Sequence, residues 1–206
     1  MRNSVPRKFD RALVESTKLE DLPEAMRHRY PHLTPEQHEW RYSVAIHEAG
    51  HLMTALVLSR THGFCFGTHG FVRVPKRNPH TNQAGTDGEI PSQIGGAHTK
   101  TIVTASGIAA DALTFGIAFA KERRIRGNYD DDVEQINENV KRLGESTGHA
   151  AKTVRLQIVR NALDIIRSSR VPLEKLAIAL LLHGDRAGVV RHKQWYGLLG
   201  YFLPRC

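Results

Sequence analysis

Residues 33–59 read LTPEQHEWRYSVAIHEAGHLMTALVLS, and they set two histidines and a glutamate inside a stretch that a folded chain has to bury. The start carries its own signal. Thr34 suits an N-cap, Pro35 the first helical position, and Gln37 stands three residues after the cap, as in a capping box. A helix of about 25 residues is expected from that start. Trp40, Val44, His47, His51, Ala55 and Leu58 recur at spacings of three and four, so both histidines share a face that is otherwise largely apolar. Each polar group buried there without a partner would cost about 1–3 kcal/mol. The rest of the chain must therefore supply either a metal ion's remaining ligands or hydrogen-bond partners for two core histidines.

The rest of the sequence offers material for both. Residues 1–33 mix charge and apolar groups and read as an N-terminal extension with one or two short helices before Pro31. After the long helix the period changes, and Phe71, Val72, Arg73 and Val74 end at Pro75 as an edge strand would, giving a small sheet. KRNPHTNQAGTDGEIPSQIGGAH, residues 76–98, is rich in Gly, Pro, Asn and Thr and is expected to be mostly loop. Helices are then predicted over 100–119, 131–143, 150–168 and 172–183, with an apolar tail over 191–206. No internal repeat and no Gly-x-x-x-x-Gly-Lys-Ser/Thr phosphate loop is present.

With 206 residues, 40% of them hydrophobic, the chain can bury a sizeable core. No apolar run reaches the length of a spanning helix and no secretory signal opens the sequence, so a cytoplasmic location is expected. Cys65 and Cys206 are too few for a disulfide framework, and the ending LPRC lacks the residues a prenylation signal needs. The net charge of +8 comes from dispersed basic residues, densest at KERRIR, residues 121–126, with no aromatics interleaved. A solvated basic face is therefore favoured over a nucleic-acid site.

On a helix, His47 and His51 can place imidazole nitrogens on one zinc ion, while Glu48, one residue round, can take a proton from a water in the open coordination position. The third ligand has to come from elsewhere. GNYDDDVEQINENVKRL, residues 127–143, offers three aspartates at a helix start whose buried stripe is Val133, Ile136, Val140 and Leu143. At about 100° per residue Asp132 falls nearest that stripe, Asp130 further off and Asp131 roughly opposite. All three also complement the helix dipole, which is reason enough for their presence. Asp132 is the expected ligand, with Asp131 as the fallback.

AIHEAGH (45–51), TASGIAADALTFG (104–116) and an aspartate followed by VEQI (133–136) together resemble, in order and spacing, the peptidase domain of FtsH-type metalloproteases. That family carries an Ala/Val-x-His-Glu-Ala-Gly-His helix, a Gly-Gly-Arg-x-Ala-Glu-Glu-x-x-x-Gly helix and an Asp-Leu-x-x-Ala segment whose aspartate is the third zinc ligand. The resemblance extends through VRLQIVRNALDIIRSSRVPLEKLAIALLLHGDRAG and covers about residues 40–190. It implies His47, His51 and Asp132 as zinc ligands and Glu48 as the catalytic carboxylate. It also implies a mainly α (α+β), zincin-like fold over 34–190, with a small β-sheet and a C-terminal helical bundle. The chain departs from the family where SGIAADA replaces the first Gly and the Arg and keeps only Asp111 of the acidic pair.

The expected function is thus a zinc-dependent endopeptidase acting on unfolded or dedicated protein substrates. The family's ATPase module has no counterpart in these residues, so a separate unfoldase is an expected partner; a homo-oligomer is compatible with the sequence. Phe71, Val72, Arg73 and Val74 are the expected substrate-binding edge, where an extended peptide could add as a strand. Two alternatives stand beside this reading: a regulatory, repressor-cleaving metalloprotease of the ImmA kind, and a zinc-bound inactive adaptor that binds a protein or nucleic-acid partner.

Overall fold

The computed structural model describes residues 10–18, 33–62, 69–72, 84–87, 96–183 and 190–191, with isolated positions between 21 and 31. Among these the chain is mainly helical: α1 (Arg11–Ser16), α2 (Pro35–His62), α3 (Gly96–Phe115), α4 (Ile117–Ile125), α5 (Asp130–Thr147), α6 (Ala151–Ser168) and α7 (Arg170–His183). None of these helices is long and apolar enough to cross a membrane.

The start of α2 is fixed by the expected reciprocal cap. The Thr34 backbone N–H donates to Gln37 Oε1 at 2.8 Å, and the Gln37 N–H donates to Thr34 Oγ1 at 3.3 Å. From Ser43 to Leu56 every residue of α2 is buried, and so is every residue of α7 from Leu176 to Leu182. A helix covered on all sides is a central one. Accordingly α2 packs on both α3 and α7, while α3 carries α4, α5 and α6 on its other sides. Even α1, inside the segment read as an extension, docks on this core: Val14 is fully buried, and Lys175 Nζ donates to the Val14 and Glu15 carbonyls at 3.3 and 2.7 Å. That lysine satisfies carbonyls that the end of a short helix leaves open.

Two expectations about elements are corrected. The helix predicted over 100–119 is divided at Gly116, whose φ of +93° an ordinary helix cannot hold, so the chain turns there into α4. Three short strands also pair: β1 (His69–Val72), β2 (Ala84–Asp87) and β3 (Val190–Arg191), antiparallel throughout, in the order β2-β1-β3. β1 is thus the middle strand at His69 and Gly70, just ahead of the segment expected as an edge. β2 lies inside the stretch predicted as loop, because Ala-Gly-Thr-Asp has none of the apolar alternation that marks a strand. β3 covers β1 only at His69 and Gly70, whereas β2 pairs with it from His69 to Val72. Arg73, Val74 and the tail beyond Arg191 lie outside the described residues.

Leu180 and Leu156 give a direct test of this architecture. Leu180 is 0% exposed on α7 and Leu156 is 62% exposed on α6. Leu180→Ala is expected to lower unfolding free energy by about 2–5 kcal/mol and Leu156→Ala by no more than about 0.5 kcal/mol, read from urea denaturation.

Candidate metal centre

The site grows from the crossing of α2 and α3. One helical turn on α2 separates His47 from His51, and α3 supplies a partner for the inner nitrogen of each. His51 Nδ1 lies 2.8 Å from the Val103 carbonyl oxygen, and His47 Nδ1 lies 3.1 Å from Asp111 Oδ2. A carbonyl oxygen only accepts, so the His51 proton sits on Nδ1, and the Asp111 carboxylate places the His47 proton in the same way. Both Nε2 lone pairs are thereby turned outward. They face each other at 3.1 Å, an arrangement that two neutral imidazoles do not favour unless something positive lies between them.

Asp132 closes the triangle. Its Oδ2 lies 2.9 Å from His47 Nε2 and 3.5 Å from His51 Nε2. Three ligands held at about 2.0–2.1 Å from a tetrahedral ion would stand about 3.3 Å apart, so the set fits a divalent cation with little adjustment. His47, His51 and Asp132 are the group that can hold a metal ion among the described residues. Asp132 reaches the site because Ile136, Asn139 and Val140, on its own face of α5, are buried against the core. Asp130 and Asp131 are exposed.

The electrostatics favour a cation in the same place. Burial opposes a charge on His47, yet its hydrogen bonds to Asp111 and Asp132 and the charges of Asp111 and Glu48 outweigh that and push its pKa up to about 10. His51 is raised too, against burial, by the bond to Asp132 and that carboxylate's charge. For Asp132, burial works upward but the two histidines win and hold the carboxyl well below its usual range. Glu48 is buried beside them at 7% exposure, close enough for its charge to raise both imidazoles.

Two glycines set the helix spacing. A Cβ at Gly50 would lie 2.5 Å from the Ser106 carbonyl oxygen, so α2 and α3 touch backbone to backbone there. A Cβ at Gly107 would lie 2.6 Å from Nε2 of both His47 and His51. Any side chain at 107 would thus occupy the face on which the ligands converge.

The structure brings together His47, Glu48, His51 and Asp132 of the residues singled out in the sequence. Phe71 and Val72 are in β1, with only their backbone pairing described. Three contributors were not assigned a role beforehand: the Val103 carbonyl, Asp111 as the His47 acceptor, and Tyr129, whose hydroxyl burial and the Asp111 charge keep protonated by raising its pKa. Only Asp111 left a trace in the sequence, as the one acid retained in SGIAADA. No protein-family model and no curated protein matches this sequence.

Gly107→Ala is expected to force the imidazoles apart and weaken metal binding at least about tenfold while the helical circular dichroism persists. In the metal-free protein, the raised His47 pKa adds stability that is fully present below its ordinary value of 6.5 and is lost as pH rises through about 10. Metal must displace that proton. Apparent affinity should therefore climb by up to about tenfold per pH unit across this window, with proton release detectable by calorimetry in buffers of different ionisation enthalpy. A flat profile would refute the assigned protonation.

Proposed function

We propose that the chain is a zinc-dependent metalloendopeptidase with a zincin-like arrangement of the FtsH peptidase type. The observation that carries this reading is the pair of Nε2 lone pairs, each aimed by a separate α3 acceptor at the point where Asp132 arrives. His47, His51 and Asp132 would hold the ion, leaving a fourth position open. Zinc, when bound, supplies a Lewis acid that polarises a peptide carbonyl and brings the pKa of a water toward about 7. Glu48 is the proton carrier. It follows His47 directly, is buried with the ligands, accepts the proton of the attacking water and returns it to the leaving amine.

The substrate is an extended protein segment. Phe71 and Val72 pair with β2 on one side, and an extended peptide running along their other side would gain backbone hydrogen bonds. Binding of this kind accepts many side chains but rejects folded segments, whose backbone groups are already paired. These residues hold no phosphate loop, so any unfolding of substrates by ATP would be supplied from outside them.

Glu48→Gln separates the peptidase from a zinc-bound adaptor. The variant should keep its metal and lose casein cleavage by about a hundredfold or more. Metal-loaded wild type that leaves casein and unfolded lysate proteins intact would leave the adaptor standing. Asp132→Asn should weaken metal binding far more than Asp131→Asn, whose side chain is exposed, as read by competition with a chromogenic chelator.

A further inference from the structure

Beyond the three ligands and Glu48, a fifth group is built into the metal centre. The Tyr129 side chain, 2% exposed, lies at the turn before α5 and lays its ring flat on that of His47, with centroids 5.2 Å apart and planes 9° from parallel. Its hydroxyl donates to Asp111 Oδ2 at 2.6 Å, the same oxygen that accepts from His47 Nδ1. The other face of that carboxylate has no partner: Asp111 Oδ1 is buried without a hydrogen bond among the described residues. Tyr129 therefore contributes the second donor of a fully buried acid, and without it only His47 would set that acid's rotation. The ring is itself held. Arg123 places its guanidinium carbon 5.4 Å from the Tyr129 centroid and donates through Nη1 to Ser43 Oγ on α2.

We infer that Tyr129 is a positioning residue of the metal centre, fixing the His47 ring both through its face and, by way of Asp111, through its Nδ1 edge. The inference rests on the metal-site reading above. A ligand whose outer partner is fixed loses less freedom on binding the ion, and removal of such partners elsewhere weakens metal binding about 10–100-fold. A tyrosine that merely filled space would act on folding and leave the metal untouched. Phenylalanine separates these roles, since it keeps the ring on His47 and removes only the donor.

The test is a double-mutant cycle read by cobalt(II) titration of the full chain, following the visible absorption of the bound ion. Tyr129→Phe and Asp111→Asn should each raise the cobalt dissociation constant at least about tenfold, and the double variant should be no weaker than Asp111→Asn alone, because the hydroxyl acts through that carboxylate. Cobalt affinity in Tyr129→Phe equal to wild type, or losses that simply multiply in the double variant, would overturn the inference while leaving the metal site intact. Failure of the wild type itself to bind cobalt would overturn both. Should Tyr129→Phe not fold, the unmutated protein still decides: the Tyr129 hydroxyl proton should exchange slowly in NMR spectra and shift on metal loading, and a freely exchanging or unshifted proton would refute it.

Discussion

Everything about the site depends on two hydrogen bonds made at the far side of the histidines from where the chemistry would occur. Val103 O and Asp111 Oδ2 each accept an Nδ1–H, and that fixes Nε2 as the nitrogen each ring would offer to a cation, on His47 once its second proton is displaced. Had either acceptor been a donor, the tautomer would reverse and one ligand would be lost without any change in its position. Because both acceptors lie on α3, the demand passes to the helix crossing, which must be close. Gly50 and Gly107 make it so, with Ser106 and Ala110 across the contact. The small side chains of α3 thus serve the metal centre as much as the core.

The residues that meet there are far apart in the chain. His47 is 64 positions from Asp111 and 85 from Asp132. Three helices, α2, α3 and α5, are held to one another at this point by charge and hydrogen bonding. Buried carboxylates of this kind are costly unless their charge is answered. Protons on the histidines answer it in part, which is why His47 keeps its proton to about 10. A divalent ion would answer it more fully and would link three segments that the unfolded chain holds apart, so occupancy and folding stability would rise together.

Local geometry made half of this site legible in the sequence. The four-residue spacing of His47 and His51, the cap at Thr34 and the buried stripe that singles out Asp132 over Asp131 all follow from helical periodicity, and each is where that periodicity places it. What periodicity does not carry is pairing between distant elements. Nothing in residues 69–70 says that residues 190–191 will come to lie beside them, so the second partner of β1 had no signal in the sequence. Tyr129 passed unnoticed for the same reason: its ring and hydroxyl find His47 and Asp111 only once α5 has docked on α3. A main-chain acceptor such as Val103 O leaves no residue-type signal at all.

Two histidines and one carboxylate can also hold ferrous iron in a facial triad, so the ligand set alone does not determine the reaction. Glu48 distinguishes the two chemistries. An oxygen-activating iron site leaves its open positions for dioxygen and a co-substrate and has no need of a further carboxylate beside the ligands. Hydrolysis does need one, because a water must lose a proton as it attacks and an amine must gain one as it leaves. Glu48 is inside, at 7% exposure, where an idle carboxylate would be expensive to keep. Its burial next to two imidazoles whose pKa values it helps to raise fits the proposed role of a base beside a site that could hold a cation. With Glu48 on the same helix as His47 and His51, its distance from any bound ion would be tied to the helix geometry, so the group that binds and the group proposed to move the proton would be set by one rigid element.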